Sequence, residues 1–342
     1  MLRLLVQEFG QGDWTDLVSK FQDLSLLQTW EYASAKAQTG PWKVERVLFA
    51  DGKNIIGAVQ ALVRRLPWVS RGLVWINRGP LWKREEKSDA SILIAMMEEL
   101  RRHWVDKRHM VLRVAPTGDE GELNLAAIED VGFRIDGSVP GWASARIDLS
   151  RPLDSLRAQL QQKWRNCLNK AERCGLVVRS GTEDPIFREF LAEYDSFLHE
   201  RRFSTSVTPA LLSQLQSLSP SRRKPWVVTA GKEGKSLGSI LIARYGATSE
   251  YLAGPVNEAG RQVNAGQLLL WRAVCEMKDQ GYRWFDLGGM DPDRTPSGIF
   301  HFKSGMGGTP HRLLGEVEAD NGGWLSRVIR LRVQQARRAS GG

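Results

Sequence analysis

A lysine in a glycine-rich segment is the residue of this sequence with the clearest chemical potential. Lys303 stands in Phe302-Lys303-Ser-Gly305-Met-Gly-Gly, downstream of an apolar stretch that ends in Asp286-Leu-Gly-Gly. Glycines at such places let a ligand approach the backbone closely. A lysine presented there can stabilise a phosphate or a developing oxyanion. Spacing alone favours a solvated surface lysine in a simple turn, with the catalytic cation as the alternative.

Other catalytic constellations are missing from the sequence. Its five histidines show neither HExxH nor the Cys/His spacing of zinc sites. It also lacks a GxSxG nucleophile motif and a phosphate-binding P-loop. The sequence therefore gives no support to a hydrolase or an NTPase, and we expect neither a metal nor a cofactor.

Positive charge is concentrated in two stretches of the chain. The net charge is +9, and residues 151–180 carry seven Lys or Arg against two acids, while residues 321–342 carry five Arg and no acid. This concentration favours a polyanionic partner. A solvated basic helix face explains either stretch alone equally well. No zinc-finger or RNP1 signature is present, so sequence-specific recognition of nucleic acid has no support.

The elements that must position these residues form a mixed pattern of strands and helices, which predicts an α/β (α+β) fold. Strand-like runs lie at 43–50, 54–66, 72–77, 110–115, 225–231, 235–246, 248–254, 282–287 and 311–318. Helical patterns lie at 88–106, 121–131, 153–173, 184–201, 208–217, 264–280 and 323–338. Residues 56–64 can be laid on residues 237–244, which favours a duplicated unit. The last helix is amphipathic and is expected to return to the first domain.

Length and composition limit the class of protein. The 342 residues suggest two domains, which we place at 1–149 plus 318–342 and at 150–317. No apolar run approaches 18 residues, and the start of the chain is too short an apolar stretch for a signal peptide. Three cysteines without a CxxC pair are typical of a reducing compartment. We therefore expect a soluble cytoplasmic protein.

Six sequence blocks lie in a fixed order between about residue 27 and residue 308. They are Leu27-Gln-Thr-Trp30-Glu-Tyr32 with Lys36, Gln60-Ala-Leu-Val-Arg-Arg-Leu-Pro67, Asn77-Arg-Gly-Pro80, Asn169-Lys-Ala-Glu-Arg-Cys-Gly175, Asn264-Ala-Gly-Gln-Leu-Leu-Leu-Trp271, and Asp286-Leu-Gly-Gly with Phe302-Lys303-x-Gly-x-Gly-Gly. In residue types and order they resemble the Fem family of aminoacyltransferases. The resemblance covers most of the chain.

The resemblance implies a fold and a reaction. The fold is a tandem of two GNAT-like units, each a mixed, mostly antiparallel sheet flanked by helices. The reaction moves an amino acid from aminoacyl-tRNA to an amine in the stem peptide of a peptidoglycan precursor, nucleotide- or lipid-linked, by direct aminolysis of the tRNA ester. The expected partners are these two substrates and, peripherally, the inner membrane surface. The protein is expected to be a monomer.

The resemblance also implies roles for individual residues. Lys303 with Phe302 would be catalytic, beside the aminoacyl end of the tRNA. Lys36 and either Arg201 or Arg202 would hold the phosphates of the precursor. Further candidates for substrate binding are Tyr251, Asn264, Asp286 and Gly305, with a buried strand tyrosine as the alternative for the first.

One residue departs from the family pattern, and two other functions stay open as alternatives. Family members often carry an acid where this chain has Ala115, so no carboxylate there can act as general base. The second candidate function is an acyl-CoA-dependent GNAT-type N-acyltransferase acting on a polysaccharide, an amino sugar or another amine. Its pyrophosphate loop would be Arg261-Gln-Val-Asn264-Ala-Gly266, which has Asn in place of the first glycine. A non-enzymatic nucleic-acid-binding scaffold is the third alternative. We rank it last because it explains the positive charge but gives no role to Lys303 in its glycine-rich turn.

Overall fold

A computed structural model describes residues 2–67, 69, 71–84, 89–137, 139–201 and 205–339, with the backbone alone at residues 334 and 336–339. The chain divides into two compact units, residues 1–142 with 312–342 and residues 143–311. The predicted boundaries lay at 149/150 and 317/318. The first boundary differs because residues 143–148 form a strand that pairs within the second sheet. The second differs because Leu313 already pairs with Asp119 of the first unit.

The strands and helices follow the predicted alternation. The strands are β1 (Leu2–Val6), β2 (Lys43–Asp51), β3 (Asn54–Arg65), β4 (Gly72–Asn77), β5 (Val111–Ala115), β6 (Arg134–Ile135), β7 (Ala143–Asp148), β8 (Val177–Gly181), β9 (Trp226–Lys232), β10 (Lys235–Tyr245), β11 (Thr248–Ala253), β12 (Trp284–Asp286), β13 (Thr309–Arg312) and β14 (Val317–Ala319). The α-helices are α1 (Gln11–Val18), α2 (Trp30–Thr39), α3 (Ala90–Leu100), α4 (Leu125–Asp130), α5 (Leu153–Gln159), α6 (Gln162–Glu172), α7 (Asp184–Arg201), α8 (Pro209–Leu218), α9 (Glu258–Gln262), α10 (Ala265–Asp279), α11 (Ser297–Ser304) and α12 (Trp324–Ala339). Several helices begin at a side chain that accepts a backbone N–H, as is typical of helix N-caps. These caps are Thr29, Asp89, Asn124, Thr208 and Asn257.

The first unit contains a seven-stranded sheet in the order β1-β2-β3-β4-β5-β14-β6. Its strands pair antiparallel at most positions, while β4 and β5 run parallel. Branched and aromatic side chains of these strands pack against α3 and the π-helical turn Arg101–Asp106 that continues it. The helix α12 packs Ile329 against Leu73 of β4 and Val111 of β5.

The second unit repeats this arrangement. Its sheet has the order β13-β7-β12-β11-β10-β9-β8, and β11 and β12 are its parallel pair. Counted from β8, the strand order matches that of the first sheet counted from β1. β7 lies where β14 lies in the first unit, antiparallel beside the fifth strand. The predicted fold class, two GNAT-like units with mixed and mostly antiparallel sheets flanked by helices, is confirmed.

The two long third strands share a local irregularity that supports the duplication. In β3 the register shifts at Ile56, directly before Gly57, and in β10 it shifts at Leu237, directly before Gly238. These are the residues that the sequence alignment of 56–64 with 237–244 superimposes. An extra residue in one strand is a β-bulge, which bends the strand. In both units the chain that follows the fourth strand pairs back onto this bulge, at Ala58 with Leu81 and at Gly238 with Val256.

Two predicted elements are each divided in two. The helix predicted at 153–173 is interrupted because Leu160 and Gln161 have extended backbone angles, which separate α5 from α6. The strand predicted at 311–318 is split between β13 in the second sheet and β14 in the first. Short-range patterning predicts an extended segment correctly, but not that its two ends enter different sheets. Among the described residues, no helix combines the length and apolarity needed to cross a membrane.

Candidate functional site

Lys303 lies inside the second unit. It occupies the last turn of α11, and only 6 % of its surface is exposed. Its Nζ donates a hydrogen bond of 3.0 Å to the carbonyl of Gly289 and lies 5.0 Å from the ring centroid of Tyr251. The prediction of a solvated lysine, which spacing alone favoured, is therefore wrong. The helix α11 turns this side chain toward the sheet, so that the amine meets the turn after β12.

Two buried carboxylates accompany this amine. Asp286 ends β12, and Glu250 lies directly beside it on the parallel strand β11. Asp286 accepts hydrogen bonds from the hydroxyl of Ser144 and, at 2.9 Å, from the N–H of Gly288. Glu250 accepts a hydrogen bond of 2.6 Å from the hydroxyl of Tyr245. Neutral donors thus hold both carboxylates in place, and Asp286 also accepts a hydrogen bond of 3.4 Å from the Arg146 guanidinium.

Burial and the carboxylates act on the lysine in opposite directions. Desolvation disfavours the charged amine and lowers the pKa of Lys303 to about 8, while Asp286 and Glu250 attract the cation and partly offset this effect. Below that pH the amine is a cation largely removed from water, where a positive charge acts strongly on a neighbouring charge. Burial also raises the pKa of the Tyr251 hydroxyl, which keeps that phenol neutral.

The turn after β12 can be built only around a glycine. Gly288 has a φ of +70°, and a Cβ placed on it would come within 2.4 Å of the Tyr251 carbonyl oxygen. The same Cβ would lie 3.4 Å from the Lys303 Nζ. The missing side chain at Gly288 therefore permits both the turn and the close approach of the amine. The Ser144 hydroxyl oxygen lies 2.8 Å from the Gly288 carbonyl oxygen, so its single proton is shared between that carbonyl and Asp286.

Asn264 precedes α10, and Phe302 packs against the start of the same helix. Asn264 has a left-handed backbone with a φ of +58° and immediately precedes this helix. The half-buried ring of Phe302 covers Gly266, since a Cβ on that glycine would lie 3.5 Å from a ring carbon. The N–H of Gln267, in the first turn of the helix, donates to the Asn264 carbonyl. The chain therefore places an aromatic ring over the helix start that would serve as the pyrophosphate loop of a GNAT enzyme.

Gly305 lies beneath an indole ring. A Cβ at this position would come within 2.4 Å of Cδ1 of Trp164, whose Nε1 donates a hydrogen bond of 2.9 Å to the Phe302 carbonyl. The Gly305 carbonyl accepts a hydrogen bond of 2.9 Å from Gln161, at the break between α5 and α6. These contacts give Gly305 a packing role that holds the end of α11, and with it Lys303, against the unit.

The other predicted residues that the structure describes belong to other helices. Arg201 is exposed at the last position of α7, and Arg202 falls outside the described residues. Lys36 belongs to the first unit, where it is half-buried on α2 and its pKa is lowered by desolvation. The structure therefore brings together Lys303, Asp286 and Tyr251.

Sequence reasoning missed several polar residues of the cluster. Glu250 could have been found, because it is an acid inside a run predicted as a buried strand. Tyr245 ends the neighbouring strand of the same hairpin and was equally accessible to that argument. Ser144 and Arg146, whose Nε lies 3.4 Å from Asp286, could not be found, because β7 meets β12 only through pairing across more than 130 residues of chain.

The described residues contain no group of three or more His, Cys, Asp or Glu side chains that could hold a metal ion. The arrangement instead offers a buried cation with two fixed carboxylates and an aromatic ring. This set can orient an acyl donor and stabilise negative charge that develops on a carbonyl oxygen.

Comparisons with known proteins agree with this architecture. A protein-family model described as an acetyltransferase (GNAT) domain matches residues 155–304. A crystal structure of FemX superposes with a TM-score of 0.79 at 14 % identity, covering 95 % of this chain and 99 % of that one. A tandem GNAT protein from the clavulanic acid biosynthesis pathway gives 0.53 at 14 % identity, covering 94 % and 99 %. L-PGS from Bacillus licheniformis gives 0.55 at 14 % identity, also covering 94 % and 99 %. No curated protein matches the sequence.

At such identities the structural likeness establishes the fold. The Fem-like tandem GNAT fold predicted from the sequence blocks is confirmed. The acetyltransferase domain match covers the part of the chain that holds Lys303, Asp286 and Tyr251. Together these findings support the prediction that the chain is an N-acyltransferase enzyme.

Proposed function

We propose that the protein transfers an amino acid from aminoacyl-tRNA to an amine of a peptidoglycan precursor's stem peptide. The observation that carries this proposal is the buried cation Lys303, fixed beside Tyr251 and the Gly288 turn. An activated ester needs no covalent intermediate on the enzyme. It needs a positioned amine and a charge that stabilises the oxyanion.

The reaction is a direct aminolysis. The amine nitrogen of the acceptor attacks the ester carbonyl carbon of the aminoacyl-tRNA, a C–N bond forms, and the carbonyl electron pair moves onto oxygen. When the carbonyl re-forms, the bond to the ribose oxygen breaks. That oxygen takes up a proton and the new amide nitrogen gives one up. Lys303 stabilises the negative charge on the carbonyl oxygen, and Phe302 packs beside the tRNA end.

An exposed basic face of α6 supports tRNA as the donor. This helix turns Trp164 and Leu168 inward, and Lys163 and Lys170 stand exposed on its other side, followed by the exposed Arg173. Lysines and arginines that contact phosphates bind an RNA backbone without reading its sequence. The face lies on the helix whose Trp164 donates a hydrogen bond to the Phe302 carbonyl, so this helix contacts the proposed donor site.

The acceptor would be bound through charged and polar side chains outside the lysine cluster. We assign the precursor phosphates to Lys36 of the first unit and to Arg201, with Arg202 as the adjacent candidate. Tyr251, Asn264 and Asp286 are assigned to the aminoacyl end of the donor or to the attacking amine. With Ala115 in place of an acid, deprotonation of that amine falls to another group or to the substrate itself.

Acyl-CoA-dependent N-acyltransfer is the second candidate, because the family model that matches 155–304 is an acetyltransferase domain. The residues at the helix start fit the CoA pyrophosphate poorly. Phe302 covers Gly266, and Asn264 brings a side chain to a position where a glycine would let the phosphate approach. These contacts favour the tRNA ester over CoA.

A transfer assay separates the two candidates. Purified protein is given a nucleotide-linked muropeptide with either total aminoacyl-tRNA or acetyl-CoA, and the modified muropeptide is detected by mass. We expect aminoacylated product with the tRNA. Acetylated product without aminoacyl transfer would refute the proposal and favour the CoA enzyme.

Charge reversal tests the basic face. In the variant Lys163→Glu with Lys170→Glu we expect weaker tRNA binding, with the slope of log affinity against log salt reduced by about two, roughly one per lost phosphate contact. The matched control reverses Lys232 and Lys235, two exposed lysines that flank the β9–β10 turn. Equal slopes of log affinity against log salt for both double variants would show that the basic face of α6 is only solvated and does not contact tRNA phosphates.

A further inference from the structure

The last helix of the chain has two apolar faces. Its inner face packs Ile329 and Val333 into a cluster with Leu73 and Val111 of the first sheet. Its outer face leaves Trp324 71 %, Val328 36 % and Leu331 57 % exposed. These three residues recur at spacings of four and three, so they form one continuous stripe along the helix. The described residues of the first unit leave this stripe largely facing solvent.

Basic residues border the stripe on both sides. At about 100° per residue, Arg327 lies roughly 60° from Trp324 in one direction and Arg332 roughly 80° from it in the other. Both side chains are exposed. Arg330 points away from the stripe and is paired with Glu318 at 3.6 Å and Asp320 at 3.2 Å, so it helps to seat the helix. Residues 321–342 contain no acid.

We propose that α12 docks the first unit onto a bilayer that carries anionic phospholipid. An apolar stripe with a tryptophan at its end and arginines along its borders matches the interface between acyl chains and headgroups, where the apolar side chains enter the membrane and the guanidinium groups meet phosphates. An RNA backbone would satisfy the arginines but would leave the stripe of Trp324, Val328 and Leu331 exposed to water. The combination of charge and apolar surface therefore favours a membrane. Docking of this kind would bring the enzyme to lipid-linked substrates, but it does not depend on which acyl donor is used.

Co-sedimentation with vesicles tests the surface without any substrate. The full-length protein is mixed with vesicles of phosphatidylcholine alone or of phosphatidylcholine with phosphatidylglycerol, at low and high salt. We expect the protein to sediment with the anionic vesicles at low salt and to be released as salt rises. Failure to sediment with the anionic vesicles at low salt would overturn the proposal.

Variants separate the apolar and the electrostatic contributions. Leu331→Asp is expected to lower partitioning onto anionic vesicles about tenfold, whereas the matched control Val177→Asp, at an isolated residue of β8 that is 64 % exposed, leaves it unchanged. Reversing Arg327 and Arg332 to Glu is expected to lower partitioning onto anionic vesicles at least about 25-fold, which is about fivefold for each basic residue. Equal partitioning of Leu331→Asp and Val177→Asp would overturn the proposal. The proposal would also be overturned if the arginine double variant lost tRNA affinity but kept vesicle binding. That result would show that α12 binds RNA.

Discussion

Replacing Lys303 by methionine should make the protein more stable and less active. The substitution keeps an unbranched side chain of similar length in the buried site and removes the charge. The pKa of this amine falls from 10.5 to about 8 on folding, which corresponds to about 3 kcal/mol of unfavourable free energy for the charged form. The attraction of Asp286 and Glu250 is already contained in that pKa, since both carboxylates act on the cation.

The sign of the effect follows from proton binding. Below pH 8 the amine is charged in both the folded and the unfolded chain, so the wild type carries the whole cost of burying the charge. Between pH 8 and 10.5 the folded protein binds fewer protons than the unfolded chain, and the stability of the wild type rises with pH. The Lys303→Met variant therefore exceeds the wild type by up to about 3 kcal/mol at pH 7. The difference closes as the pH approaches 10.5.

The assay is urea unfolding followed by circular dichroism at several pH values between 7 and 10.5, together with the rate of transfer at neutral pH. We expect the variant to lose about 100- to 1,000-fold in rate, the effect of deleting one oxyanion donor. The matched control is Lys278→Met. That lysine is half-buried and donates to the Leu149 carbonyl at 2.7 Å, but lies on α10 outside the cluster. It should cost about 1 kcal/mol for the lost hydrogen bond and leave the rate of transfer unchanged.

Two results would refute the reasoning about Lys303. A variant less stable than the wild type at pH 7, with a difference that does not change up to pH 10.5, would show that burial does not disfavour the cation. A variant that transfers at the wild-type rate would remove the amine from the mechanism. The first result concerns the electrostatics of the site and the second its chemistry, so each can fail alone.

Two further substitutions test the surroundings of the amine. Gly288→Ala forces a φ of +70° on a residue with a Cβ and brings that atom within 2.4 Å of the Tyr251 carbonyl oxygen. This substitution should lower the free energy of unfolding by about 1–3 kcal/mol, as measured by thermal unfolding. Gly298→Ala, with open space around it on α11, should cost nothing, and equal losses in both would contradict the strain argument. Glu250→Gln removes an attraction that raises the pKa of Lys303, so the alkaline limb of the pH–rate profile should move to lower pH while the Tyr245 hydrogen bond is kept. A limb that stays in place would show that the charge of Glu250 does not reach the amine.

The sequence by itself determined most of the secondary structure and the duplication. Apolar alternation and turn residues predicted β3 and β10 within a residue or two of their ends, because strand length and hydrophobic pattern are local properties. The sequence match of 56–64 with 237–244 is confirmed in the structure, because both segments carry a β-bulge at matching positions. Each bulge falls at the Ile-Gly or Leu-Gly pair that the alignment superimposes. The blocks around Asn264, Asp286 and Lys303 were sufficient to predict the Fem-like tandem fold.

Only the tertiary structure decided which of these residues form a site. Spacing could not tell a solvated lysine from a buried one, because burial of Lys303 depends on how α11 packs against β11 and β12. The partners Ser144 and Arg146 come from β7, which reaches Asp286 by pairing between segments far apart in the chain. The run at 311–318 looked like one strand because each half is locally extended, and long-range pairing sends its halves to different sheets. Local patterns fix the elements, while pairing and burial between distant segments fix the chemistry of Lys303.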